Sequence, residues 1–245
     1  MWYYYSSIIL FIVSLIISFI VQHRFKKYNQ EYVSSNLSGA EAAYKILHSQ
    51  NINDVKIVAI AGTLTDNYNP TNKTLNLSNE VFNGRTVSAI AVAAHECGHA
   101  IQHAQEYPLM NLRKKIVPIT NISSYLSYIA IMLGLIMERS GLISFGAILF
   151  SVIVIFNLIT LPVEIDASNR ALVLTKELNL FTTDQEYQDG KKVLTAAGMT
   201  YFIALVSAIL QLLRLLSLAK SSKRRNLIAV KRFFKRYGYT KSANQ

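Results

Sequence analysis

The chain has 245 residues, of which 51% are hydrophobic and only 16% charged, well below the roughly 25% charged of soluble domains. A single cysteine, Cys97, excludes an internal disulfide framework. The net charge of +11 is concentrated at the C-terminal end: nine of the 25 Lys and Arg residues lie between Lys220 and Gln245, where there is no Asp or Glu, and the remaining 16 face 14 acidic residues. A basic tail on a nearly neutral body argues against nucleic acid as a partner and for attraction to the anionic headgroups of membrane lipids.

Residues 1–22 read as an N-terminal transmembrane anchor. Tyr3 to Gln22 is apolar over about the 20 residues that a helix needs to cross a bilayer, and Trp2, Tyr3, Tyr4 and Tyr5 form an aromatic cluster suited to its interface. No basic stretch precedes this segment and no Ala-x-Ala-like site follows it, which favours an anchor over a cleaved signal peptide. Residues 23–115 read as water-facing. Ser38 is placed to cap a helix running to Gln50, Val55, Ile57 and Ala59 alternate as a strand does, and residues 65–73 (TDNYNPTNK) have turn chemistry. Thr74 to Ser78 reads as a second strand, and Thr86 to Gln105 as a helix rich in Ala and Gly, suited to packing on most sides.

Residues 116–163 read as a transmembrane hairpin: about Val117 to Met137 and Leu142 to Val163 carry no charge and are separated only by Glu138-Arg139-Ser140-Gly141. Pro118 is expected in the first turn of its helix, where the missing N–H costs little. Residues 164–195 continue as a helical segment, with Thr183 and Glu186 spaced as a capping box. Residues 196–219 form a fourth apolar segment carrying Gln211 and Arg214, expected to span by its length. In the basic tail, residues 220–245, Leu227, Ile228, Val230, Phe233 and Phe234 lie among the cations, as in an interfacial amphipathic helix or a solvated tail.

The chemistry concentrates in His95-Glu96-Cys97-Gly98-His99. Residues four apart share a helix face, so both imidazoles can reach one metal ion. Glu96 sits about 100° round from His95, close enough to act on a zinc-bound water without being a ligand. Only five histidines exist, and unpaired imidazoles in so apolar a helix would be costly, which favours a metal site over a chance pair. The metzincin spacing would need a third His at Gln105, so that subclass is excluded, and His103 reads as a polar neighbour. Cys97 faces away from the metal face, as packing. A catalytic zinc site takes three protein ligands. Glu164 and Asp166 are the candidates for the third: they follow an apolar span, and a hairpin of two spans returns the chain to the side where it began.

GTLTDNYNP, LNLS, AVAAHECGHAIQ and LPVEIDASNRAL, in that order, resemble the YugP-like neutral zinc metallopeptidase family of bacterial membrane proteins, from about Leu37 to Leu216. The resemblance implies a gluzincin-like zinc metalloendopeptidase, distantly similar to HtpX-type membrane proteases. By position it makes His95 and His99 zinc ligands, Glu96 the catalytic base and Glu164 the third ligand. HtpX-type enzymes space their downstream Glu and Asp four apart, whereas Ser168 stands at that place here and Asp166 comes two after Glu164.

The expected fold is mainly α, a polytopic α-helical membrane protein with a small α+β metalloprotease element in residues 23–115. It would bind one Zn2+ per chain, sit as a multi-pass protein in the cell membrane with a cytoplasmic-facing site, and cleave peptide or membrane-protein substrates near the membrane surface. Leu75–Ser78 is considered as an edge strand for an extended substrate. Two further readings are a silent scaffold with structural zinc, disfavoured by Glu96 because a closed site needs no base, and a lipid-binding protein acting through its tail. The oligomeric state is unknown.

Overall fold

A computed structural model describes residues 2–236. The side chains of Trp2, Tyr3 and Tyr4 in the expected aromatic belt, and residues 237–245 of the basic tail, lie outside the described residues. The elements run in the order α1 (Trp2–Tyr28), α2 (Gly39–Ser49), β1 (Lys56–Ile60), β2 (Asn67–Asn69), β3 (Thr74–Ser78), α3 (Asn79–Asn83), α4 (Val87–Ala104), α5 (Pro108–Ile136), α6 (Ser140–Glu177) and α7 (Asp184–Arg236). The fold is mainly α with one small sheet. Among the described residues four helices, α1, α5, α6 and α7, are long and apolar enough to cross a membrane.

The chain divides into two compact units. Residues 8–115 and 157–205 form the unit that holds the metal motif. Its core gathers Ile46 from α2, Leu75 and Leu77 from β3, Val81 from α3 and Ile90 and Ile101 from α4. Local sequence sets the starts of α2 and α4. Ser38 and Glu41 make a reciprocal capping box at α2, and the Thr86 hydroxyl accepts from Ala89 N–H at α4, each satisfying amides that have no intrahelical partner. Fourteen of the 18 residues of α4 are buried, so its small side chains do let neighbours in on most sides. A Cβ on Gly39 would lie 2.1 Å from Val81 O, which is why α2 needs glycine there.

The sheet differs from expectation in two ways. Asn67–Asn69 form a strand inside the run read as turns, and the strand order is β1-β3-β2. β3 is therefore central, parallel to β1 and antiparallel to β2, with Leu75 paired to both Ile57 and Tyr68. β1 pairs along the whole of β3 and β2 along Thr74–Asn76, so Leu75–Ser78 is the central strand rather than the edge it was expected to be.

The second unit holds residues 116–156 and 206–236, with residues 2–7. Its hairpin of α5 and α6 is close-packed: a Cβ on Gly134 would lie 2.8 Å from Ile143 N, and Ser127 Oγ donates to Gly146 O at 2.8 Å. Pro118 does not start its helix, because α5 begins ten residues earlier at Pro108. It sits inside the helix and leaves the Lys114 carbonyl without the usual amide donor. Pro162 is likewise inside α6. α7 is continuous over 53 residues, through the fourth apolar segment and into the basic tail.

Candidate metal centre

All the residues of the site belong to one unit. α4 presents His95 and His99 on one face, their rings edge-to-face with centroids 4.8 Å apart. α6 brings Glu164 against them: its Oε2 lies 3.3 Å from His95 Nε2 and 3.4 Å from His99 Nε2. The approach depends on Gly98, where a Cβ would lie 2.6 Å from Ala167 O and 3.0 Å from Ala167 Cα. The two helices thus touch backbone to backbone one turn from Glu164.

Glu164 is 1% exposed. Its Oε1 pairs with Arg113 Nη1 at 2.9 Å, but its Oε2 has no hydrogen bond of good geometry among the described residues. A buried carboxylate oxygen left without a hydrogen bond between two imidazole nitrogens is costly on its own. It is well placed to share a cation with them, and the donor atoms of the three residues all lie within 4.8 Å of one another. Two imidazoles and one carboxylate make a donor set that suits zinc.

Both rings are oriented from behind. Ser168 Oγ lies 3.1 Å from His95 Nδ1, and Gln102 Oε1 lies 3.0 Å from His99 Nδ1. Gln102 spends its two N–H donors on Val163 O and Asp166 Oδ2, each at 2.8 Å. Its oxygen can only accept, so His99 Nδ1 carries a proton, and in the neutral ring the Nε2 lone pair faces Glu164. Burial favours a neutral His99, but the neighbouring Glu164 and Glu96 carboxylates outweigh it and hold its pKa above the ordinary value.

Asp166 does not join the cluster. Its carboxylate pairs with Arg170 and accepts from Gln102, and so reaches His99 only through that amide. Geometry therefore brings Glu164, not Asp166, to the histidines, and Ser168, at the place where the sequence departs from the HtpX-type spacing, meets His95.

Glu96 is 8% exposed and its Oε2 accepts the Tyr68 amide at 2.9 Å. That amide belongs to β2, so the unforeseen strand aims the carboxylate. Tyr68 also ties His103 through its hydroxyl, 2.8 Å from Nδ1, which keeps His103 in a separate pair. Burial pushes the Tyr68 phenol up to about 12, so it is protonated at any physiological pH. Cys97 is buried behind the motif with Sγ 3.7 Å from Ala43 O, and burial pushes its thiol well up. A cavity of about 200 Å³ opens onto His95 and Glu96, walled by Leu64, Asp66, Val92 and Tyr201.

Arg113, Gln102, Ser168, Tyr201 and the Tyr68 amide were not singled out for these places from sequence. Arg113 could have drawn notice as a cation flanking an apolar span, but a backbone amide has no sequence signature.

A helix bearing two histidines four apart, a glutamate between them and a second glutamate from a later helix define a zincin-type centre carried by apolar helices. The chain belongs to the family described as "Putative neutral zinc metallopeptidase", whose model matches residues 3–220. It is also similar to the "Putative membrane protease YugP" of Bacillus subtilis (strain 168), with 42% identity over 196 residues, covering 80% of this chain and 87% of that protein. No solved structure matches the chain. Family and relative together associate the protein with zinc peptidase chemistry and with the membrane.

Proposed function

We propose that the protein is a multi-pass membrane zinc metalloendopeptidase of gluzincin type, cleaving peptide or membrane-protein substrates close to the membrane surface. His95, His99 and Glu164 hold one zinc ion, and Glu96 is the general base. The observation that carries this reading is the buried Glu164 Oε2, without a hydrogen bond among the described residues and flanked by two imidazole Nε2 atoms. The bound metal would supply a Lewis acid that acidifies water and polarises a peptide carbonyl.

The chain's own residues do the rest. Ser168 and Gln102 fix the imidazoles so that both Nε2 atoms face Glu164. Arg113 occupies the outer oxygen of Glu164 and leaves the inner one for the metal. Glu96, steered by the Tyr68 amide, takes a proton at its free carboxylate oxygen and returns it to the leaving amine. A closed structural site would need neither that base nor the cavity opening onto it, and both favour catalysis over a silent scaffold.

The test is metal content and peptidase activity of the purified full chain. Wild type is expected to hold about one zinc and to cleave. His95→Ala is expected to lose the metal, and Glu96→Gln to keep it and lose activity. A Glu96→Gln variant that cleaves as well as wild type rejects the mechanism.

A further inference from the structure

We infer that His103 is a positioning residue for the general base: by holding the Tyr68 hydroxyl it keeps the Tyr68 amide against Glu96. This rests on the peptidase reading and extends its machinery to a histidine outside the zinc motif. Glu96 and His103 lie two turns apart in α4, so they share a face of that helix, roughly 10 Å from each other along its axis. Tyr68 bridges the two. Its amide donates to Glu96 Oε2 at 2.9 Å, and its hydroxyl lies 2.8 Å from His103 Nδ1.

Two points of attachment matter because β2 is weakly held by itself. It is an edge strand of three residues, paired with β3, and it runs into Pro70, which has no N–H to continue the ladder. So short an element opens locally at little cost. Each opening deprives Glu96 of the donor that fixes one carboxylate oxygen, and with it the aim of the other. The Tyr68 side chain opposes this. Tyr68 is only 8% exposed, and its ring packs against that of His103 with centroids 5.8 Å apart.

The protonation states suit the bond. Burial, with Lys114 and Lys73 nearby, holds His103 below the ordinary imidazole value against the opposing pull of Asp54. Its ring is therefore neutral at pH 7, and Nδ1 can accept from the Tyr68 hydroxyl. His103 also borders a polar cavity of about 410 Å³ with Asn51, Asp54, Lys73 and Glu106 in its wall. A residue that only filled space beside that cavity would not need to offer Tyr68 an acceptor. The metal ligands are held separately, by Ser168, Gln102 and Arg113. Loss of His103 should therefore spare the zinc and slow the reaction.

The experiment measures kcat, KM and zinc content of the purified full chain in detergent, with a fluorogenic peptide that wild type cleaves. His103→Leu is expected to lose about 10- to 100-fold in kcat, the effect of a misaligned catalytic group, with KM little changed and the zinc complement full. His103→Asn, whose side-chain oxygen can stand where Nδ1 stands, should recover most of the loss, which a space-filling role would not allow. Tyr68→Phe should cost as much as His103→Leu, and the double variant no more than either, because all three break the same bond. Undiminished kcat in either single variant overturns the inference. So does a His103→Asn variant no faster than His103→Leu, a double variant in which the two losses multiply, or a loss that follows zinc content.

Amide hydrogen exchange at Tyr68 gives a reading without turnover. The amide should be protected in wild type and exchange roughly tenfold faster in His103→Leu and Tyr68→Phe, the effect of losing one hydrogen bond that resists local opening. Equal exchange in wild type and both variants overturns the inference. Failure of the peptidase reading looks different: no cleavage by wild type, or full cleavage by Glu96→Gln, while exchange at Tyr68 still shows whether His103 holds the strand.

Discussion

Gln102 has no place in the zinc motif, yet it decides which nitrogen of His99 faces Glu164. Both its N–H groups are committed, to Val163 O and to Asp166, so its oxygen holds His99 Nδ1–H. Gln102→Leu is expected to weaken zinc affinity about 10- to 100-fold, the usual effect of losing a residue that orients a ligand, with the metal still bound at high zinc. Competition with a chromophoric chelator measures this, and unaltered affinity would remove Gln102 from the network. The same assay ranks the two acids: Glu164→Ala should lose the metal outright, whereas Asp166→Ala should act only through Gln102 and cost no more than Gln102→Leu. Asp66 gives a pH test. Burial raises its carboxyl above the ordinary 3.8, against hydrogen bonds from Ser78 that lower it. As pH rises, the unfolded chain gives up this proton before the folded one does. The group's contribution to stability therefore falls between the ordinary and the raised value and stays low at neutral pH. Asp66→Asn keeps an acceptor for the Ser78 amide and removes the buried charge. Thermal unfolding should show a rise of roughly 1–2 °C at pH 7 that vanishes near pH 3, and an equal difference at both would rule out the charge as cause. At this scale His95, Glu96 and His99 were legible because helical periodicity alone puts the two histidines on one face with Glu96 about 100° round from His95. Glu164 was legible from chain topology and family resemblance. Gln102, Ser168 and Arg113 were not, because their partners are distant in sequence and each would serve equally well as an ordinary polar residue.

Among the elements, α4 and α6 carry the site through one contact. Gly98 lies within the motif but between its ligands, and its missing Cβ lets Ala167 approach. Gly98→Ala must push α6 away by several tenths of an ångström at least. The shift carries Glu164 and Ser168 with it, since both flank Ala167 on the same helix. The variant is expected to fold, because alanine favours helix over glycine by about 1 kcal/mol, yet to lose zinc and peptidase activity together. Zinc analysis of helical, monodisperse Gly98→Ala protein checks this, and a full zinc complement would mean that α6 adjusts without cost. Long elements were legible in the sequence: α1, α5 and α6 stand out by apolar length, and α2 and α4 by their caps and periodicity. β2 was not. Asn67 and Asn69 are turn formers, flanked by Asp66 and Pro70, and with Tyr68 between them they become a strand because β3 offers a free edge and Glu96 accepts the Tyr68 amide. The place of β3 was missed for the same reason, since a strand looks like an edge until its second partner is known. Pro118 was misplaced because apolar length marks the membrane-compatible stretch of a helix, while α5 starts earlier at Pro108, where polar and charged residues continue it.

For the molecule as a whole, the question is which side of the membrane the metal centre faces, and charge argues in both directions. Arg24, Lys26 and Lys27 follow the first apolar segment, Arg113 to Lys115 precede the second, and Lys191 and Lys192 precede the fourth. If all four apolar helices cross, these clusters share the side of His95 and Glu164. Arg139 and the basic tail then lie opposite. Positive residues stay inside and the first helix usually dominates, so the proposed orientation is a cytoplasmic centre with the tail outside. The continuity of α7 sharpens the conflict. Its 53 residues amount to roughly 80 Å of helix against a hydrocarbon core of roughly 30 Å, so it can cross and still project at both ends. Among its described residues no break allows the basic end to turn back. Single cysteines labelled on intact cells by a membrane-impermeant thiol reagent decide the matter, in a Cys97→Ala background that removes the one native thiol, itself buried and slow to ionise. Lys73→Cys should stay unlabelled and Arg139→Cys should react. The reverse pattern would overturn the cytoplasmic assignment. Lys231→Cys, exposed on α7, should react as well. If it is protected while Arg139→Cys reacts, α7 does not cross, and the nine basic residues of the tail have outweighed apolar length in placing the last helix.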